Sequence, residues 1–153
     1  FNFGNSPTEI AQQDLSGKRL IQRTSAGTQG VVRSINADTL LAGSFVCAGA
    51  IAAFVRQQAP DTVTFVNTGV FTTRDGDEDI ASSDYLTALV RNPQPNPAPF
   101  IKRVLHSTTG QMFTDPTNTK LPKADLQFAT QIDRFNFAMQ AHRHNDLLVL
   151  KKI

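Results

Sequence analysis

Residues 18–35, KRLIQRTSAGTQGVVRSI, decide how the rest of the chain is read. Leu20 and Ile21 lie in a β-favouring run that ends at Thr24 and Ser25. Ala26 and Gly27 then make a small turn, and Thr28 stands where it N-caps a helix from Gln29 onward. A strand over residues 19–23 that turns through hydroxyl-bearing residues into a helix presents N–H groups and hydroxyls at the helix's positive end. That arrangement suits a phosphate or a carboxylate. The same residues also make an ordinary strand–turn–helix junction, where Gly and Thr are favoured for local reasons. On this stretch alone both readings stand.

Upstream, Ser6-Pro7-Thr8-Glu9 predicts a helix start, with Ser6 at the N-cap, Pro7 at the first helical position and Glu9 completing a capping box. Gly17 ends that helix. Downstream, residues 39–42 form a short apolar strand running into Gly43-Ser44. Residues 45–58 (FVCAGAIAAFVRQQ) are apolar at most positions and predict a buried helix, whose small residues permit close packing. The β-branched run TVTFV at 62–66 suits a central strand. A polar loop over 67–77 follows, then an amphipathic helix over 78–90 with Ile80, Tyr85, Leu86, Leu89 and Val90 inward. The segment NPQPNPAP at 92–99 is a proline-rich connector. Short helices over 100–106 and 123–131 precede a terminal hairpin of strands 136–141 and 147–150, turned at His144-Asn145-Asp146.

Strand–helix alternation in the first part of the chain predicts an α/β fold: three α/β/α layers, a mostly parallel sheet, and an antiparallel C-terminal hairpin. Ligands of open α/β sheets sit at the carboxyl ends of the strands. The expected functional rim therefore joins residues 24–28, Gly43-Ser44 and 67–79.

The chain has 153 residues, the size of one domain with a real core. A net charge of +2 with no basic block interleaved with aromatics gives no case for nucleic acid. No apolar run approaches the roughly 18–20 residues of a membrane span, and no signal segment opens the chain. The single cysteine, Cys47, excludes an internal disulfide and fits a reducing, cytoplasmic setting. The sequence opens at Phe1 without a methionine, in what reads as a loop. The expectation is that an N-terminal part was removed or is not represented.

Two carboxylates stand out as candidate chemistry. Glu78 and Asp79 belong to DGDED, residues 75–79, at the start of a helix. Acidic residues complement the macrodipole there, yet four carboxylates in five residues exceed what the dipole needs. Oxygen crowding of this kind suits a hard cation such as Mg²⁺, and the two readings stand level. His142 and His144 share a strand face without a third ligand nearby, His106 is isolated, and Cys47 reads as an inert buried thiol. Asp133-Arg134 is either a local ion pair or an anion-facing arginine.

Taken together, these blocks resemble the 2-phosphosulfolactate phosphatase family. FNFGNSPTEI is similar to its F-D-x-G-N-S-P segment, KRLIQRTSAGTQGV to its strand followed by T-T-N-G-T, and AGSFVCAGAIAAFV to its small-residue helix G-S-[FL]-x-N-A-x-A. The segment from Val63 to Val90 resembles V-x-x-V-x-x-G…E-D-x-x-[AC]-[AG], and HSTTGQMF and DLQFATQIDRFNFAMQ resemble C-terminal segments. Asn2, Ala26 and Cys47 depart from the pattern, replacing an Asp and two Asn. The resemblance further implies a preceding N-terminal third, with a D-x-L-R-A-[ST] segment, and the expectation is that this part of the fold is not represented here.

The resemblance implies Mg²⁺-dependent hydrolysis of a small phosphorylated acid, 2-phosphosulfolactate, to 3-sulfolactate and phosphate, in coenzyme M biosynthesis. Asn5, Ser6, Thr24, Ser25, Gly27 and Thr28 are then expected to cradle oxyanions. Glu78 and Asp79 are expected to hold the Mg²⁺, with one of them orienting the attacking water. A homo-oligomer or the missing N-terminal segment would complete such a site. A catalytically silent anion-binding α/β module is the alternative. A dinucleotide-binding domain is the weakest, since no G-x-G-x-x-G follows a strand.

Overall fold

A computed structural model describes residues 2–69 and 76–153. The expected loop over 67–77 lies partly outside the described residues, as do Phe1 and Asp75. In chain order the described elements are α1 (Pro7–Ile10), α2 (Gly27–Arg33), β1 (Leu40–Ala42), a 3₁₀ turn (Phe45–Cys47), α3 (Ala48–Gln58) and α4 (Asp77–Arg91). They continue with α5 (Ala98–His106), α6 (Thr108–Thr114), α7 (Lys123–Ala129), β2 (Met139–His144) and β3 (Leu147–Lys152).

The core lies between α3 and α4. Ala48, Ile51 and Ala52 of α3 meet Ala81, Tyr85, Leu86 and Leu89 of α4, and the small residues let the backbones approach closely. Phe45, Tyr85 and Phe100 form a tilted aromatic row, with centroids 5.6 and 5.4 Å apart. Val104 of α5 and Leu126 of α7 close the core from the other side. The inward stripe expected of α4 is present at Tyr85, Leu86 and Leu89, with Val90 packed against its margin.

Mixed helices and strands are present, but the parallel, three-layer sheet is not. The described sheet has three strands in the order β1-β2-β3, and both pairings are antiparallel. β1 pairs in register Leu40↔Ala141, so it joins the C-terminal hairpin and not a neighbouring parallel strand. The hairpin itself matches expectation, with β2 and β3 joined across Asn145-Asp146 and Asn145 in the left-handed region at φ 54°.

The error has a local cause. The runs at 19–23 and 62–66 have strand-like composition but are extended without a ladder partner among the described residues. Ile21 is 85% exposed and Val66 55%. β-propensity measures how well a side chain fits a pleated, half-buried surface, and it makes no strand unless a neighbour supplies that surface.

Two details of the expected helices also change. The first turn of the 45–58 helix is 3₁₀. The N-cap of α2 is Ala26, not Thr28, and carries no side-chain cap; Thr28 is the second helical residue, and its N–H donates to Thr24 Oγ1 at 3.0 Å.

Candidate functional site

One cleft of about 770 Å³ gathers residues from five separate parts of the chain. Asn5 and Ser6 come from the GNSP segment, Gly43 and Ser44 from the end of β1, and Glu78 and Asp79 from the first turn of α4. Thr109 and Gly110 belong to α6, and Asp125 to α7.

The acidic cluster divides by direction. Asp77 turns to α5, where Arg103 Nη2 donates to its Oδ1 at 2.5 Å and Arg103 Nη1 donates to Asp84 at 2.6 Å. Those hydrogen bonds, to Asp77 above all, hold the guanidinium still more firmly protonated than usual. This part of the cluster fastens α4 to α5.

Glu78 and Asp79 line the cleft instead. Glu78 Oε2 is withdrawn from solvent and has no hydrogen-bond partner among the described residues. The Asp79 carboxyl is pushed above its ordinary value, first by burial and then by the neighbouring Glu78 charge, while the backbone N–H groups of Gly69 and Thr68 pull it back down. A buried orphan acceptor beside a second, desolvated carboxylate is costly for a bare protein, and a cation relieves both terms. Mg²⁺ takes one or two carboxylates and keeps several waters, so the pair fits it. No cluster of three or more His, Cys, Asp or Glu suited to a metal occurs among the described residues.

The GNSP segment is held by a residue that sequence reasoning missed. Asp125 is 5% exposed, and its Oδ1 accepts from Ser6 Oγ at 2.9 Å, from the Thr8 N–H at 3.1 Å and from Thr8 Oγ1. Ser6 Oγ in turn accepts from the Glu9 N–H at 3.2 Å, the expected N-cap. Both Asn5 and Ser6 line the cleft, but the Ser6 hydroxyl is spent on holding the segment. In sequence Asp125 reads only as an acidic residue in a helix's first turn; its bond to a segment 117 residues away leaves no local signal.

Thr24, Ser25, Gly27 and Thr28 are not among the residues that line the cleft. Thr24 and Thr28 serve each other: besides the Thr28 N–H to Thr24 Oγ1 bond, Thr28 Oγ1 donates to the Thr24 carbonyl at 2.8 Å. The stretch acts from behind. A Cβ on Gly30 of α2 would collide with the Thr68 methyl, so only glycine lets α2 press against the loop whose N–H groups hold Asp79.

The remaining candidates settle into structural roles. Cys47 is buried with its Sγ 3.0 Å from Ser44 Oγ. His106 Nδ1 lies 2.7 Å from the Lys102 carbonyl. Asp133 Oδ1 accepts from the Gly49 N–H at 2.6 Å, and Arg134 lies over the Phe128 ring while donating to Gln131 Oε1. Asp133 and Arg134 thus bond to other partners and not to each other.

The family model for 2-phosphosulpholactate phosphatase matches residues 1–144. A Bacillus subtilis protein named probable 2-phosphosulfolactate phosphatase is 24% identical over 155 residues, which cover 100% of this chain and 67% of the relative. Proteins of the same name from Gloeobacter violaceus and Carboxydothermus hydrogenoformans are 36% and 40% identical over 69 and 63 residues. Those matches cover 45% and 41% of this chain, and 29% and 26% of the relatives. No solved structure matches the chain.

Proposed function

The chain belongs to the 2-phosphosulpholactate phosphatase family, and from its cleft we propose that it is a Mg²⁺-dependent phosphatase acting on a small phosphate monoester such as 2-phosphosulfolactate. The observation that carries this reading is Glu78 Oε2, buried without a partner among the described residues in a cleft that also holds Asp79. Glu78 and Asp79 would hold the cation, directly or through water. Bound there, Mg²⁺ would neutralise charge on the phosphoryl oxygens and lower the cost of deprotonating water.

The chain's own residues do the rest. Asp79 is oriented by two backbone N–H groups, so it is placed to align the attacking water and accept its proton. Asn5 offers an amide N–H to a phosphoryl oxygen. The water oxygen forms the new bond to phosphorus, the bond to the ester oxygen breaks, and that oxygen takes up a proton to give 3-sulfolactate and inorganic phosphate.

Charge balance favours this over the silent anion-binding module. Four carboxylates (Glu9, Glu78, Asp79 and Asp125) face one cation, Lys120, among the described residues of the cleft. Such a cleft repels a phosphate dianion unless a divalent ion intervenes. Glu78→Gln and Asp79→Asn are each expected to lower Mg²⁺-dependent phosphate release at least about a hundredfold. Unchanged release in both would remove these carboxylates from the mechanism.

A further inference from the structure

Two side-chain polar atoms among the described residues are buried without a partner, Glu78 Oε2 and Thr109 Oγ1, and both residues line the same cleft. Orphaned buried atoms are rare in folded proteins, and two in one cleft mark a place where something else supplies the missing bonds. A carboxylate oxygen only accepts, so a donor or a cation meets it, whereas a hydroxyl can donate to an acceptor oxygen such as one of a phosphoryl group.

The turn that carries Thr109 is rigidly built. Ser107 is 4% exposed, and its hydroxyl donates to the Val104 carbonyl at 2.8 Å and accepts the Gly110 N–H at 3.0 Å. A Cβ on Gly110 would run into the Val104 carbonyl, so glycine lets α6 fold tightly back on α5. Thr109 is held between these two fixed residues. Lys120, by contrast, is exposed, forms no ion pair among the described residues, and is the one cation lining the cleft there.

We propose that Thr109 and Lys120 form the substrate-positioning wall of the cleft. The Thr109 hydroxyl donates to a phosphoryl oxygen, and Lys120 pairs with the substrate's second acidic group, a sulfonate or carboxylate. This rests on the phosphatase reading and adds to it the feature that selects a monoester carrying a further negative charge. A solvent-withdrawn donor suits the phosphoryl group, which must be held in a fixed place for in-line attack. A flexible exposed ammonium suits a remote anion, whose position matters less than its charge.

The test is calorimetric binding of inorganic phosphate and of 3-sulfolactate, each with Mg²⁺, alongside thermal melting. Thr109→Val removes the hydroxyl and keeps the shape, so phosphate affinity should fall about tenfold while the melting temperature holds or rises. Lys120→Met should weaken 3-sulfolactate about tenfold and phosphate by clearly less, about threefold at most. Unaltered phosphate affinity in Thr109→Val, or a lower melting temperature, overturns the role of Thr109. Equal weakening of both ligands in Lys120→Met overturns selection by charge, and absence of phosphate binding by the unaltered protein overturns the whole wall. If the variants shift binding as stated yet no phosphate is ever released, the hydrolytic reading fails and the wall stands. If Glu78-dependent hydrolysis proceeds and both variants behave as the unaltered protein, the wall fails and the hydrolytic reading stands.

Discussion

Two helix starts in this molecule look alike in sequence and differ in what they leave unfinished. At α2, Thr24 Oγ1 accepts the Thr28 N–H and the Thr28 hydroxyl returns to the Thr24 carbonyl, so these two threonines satisfy each other locally. At α4, Gly76 provides no side-chain cap, Asp77 is drawn off by Arg103, and Glu78 is left with a buried oxygen that no described residue meets. Small hydroxyl-bearing residues at a turn advertise a binding site and then satisfy themselves. The acidic turn cannot do so, because carboxylates only accept and their neighbours are carboxylates as well. Chemistry is to be sought where local satisfaction fails.

The sharpest way to break this contrast is to treat both starts alike. The loss of turnover expected for Glu78→Gln should come with no loss of stability, since the substitution removes a buried charge. Thr24→Ala should do the reverse, leaving turnover near that of the unaltered protein. A strong rise in KM on altering Thr24 or Thr28 would return the α2 start to the binding surface.

Next in size is Asp125→Ala, which deletes a buried acceptor of three hydrogen bonds. It should cost about 2–3 kcal/mol by denaturant unfolding and raise KM by loosening the Asn5 wall. A stability change near zero would mean that GNSP is held by other contacts. The loss of the Thr24 hydroxyl's bond to the Thr28 N–H in Thr24→Ala is smaller, about 1 kcal/mol, or a fall in melting temperature of about 2–4 °C.

The smallest effect is a pH slope. Because the folded Asp79 carboxyl is raised above its unfolded value of 3.8, the folded state binds more protons between the two values. Its contribution favours the folded state below that window and is lost as pH rises through it. Melting temperatures of Asp79→Asn and the unaltered protein should therefore diverge in the variant's favour as pH rises from about 4 towards neutrality. Saturating Mg²⁺ should narrow the gap. A constant difference across that range would assign the raised value to some other group.

How much of this was legible depends on the range of the interactions involved. The apolar stripe of α4 and the hairpin turn at Asn145 are set by neighbours within a turn or two, and periodicity reports them directly. Strand composition at residues 19–23 and 62–66 was equally visible, but a ladder belongs to two segments and neither run shows its partner. The acidic pair Glu78 and Asp79 could be singled out by crowding, whereas the diversion of Asp77 to Arg103, 26 residues on, could not. Asp125 and Thr109 matter only through the folded cleft. HSTTGQMF matched a family segment, and nothing in the string distinguished Thr109 from Thr108.

The Gly49–Asp133 bond sets an order of events for a chain emerging from the ribosome. The N–H at the start of the central helix finds its acceptor 84 residues later, at a residue held in the left-handed region at φ 52°. The backbone bonds from Asp133 to the Phe45 carbonyl and from Phe135 to the Val46 carbonyl arrive in the same stroke. Until then the nascent helix carries an open N-terminus, whatever its apolar face has already collected. Completion of the core is thereby coupled to the synthesis of the segment around Asp133, and a C-terminal truncation before Asp133 should release a collapsed species, not a smaller native fold.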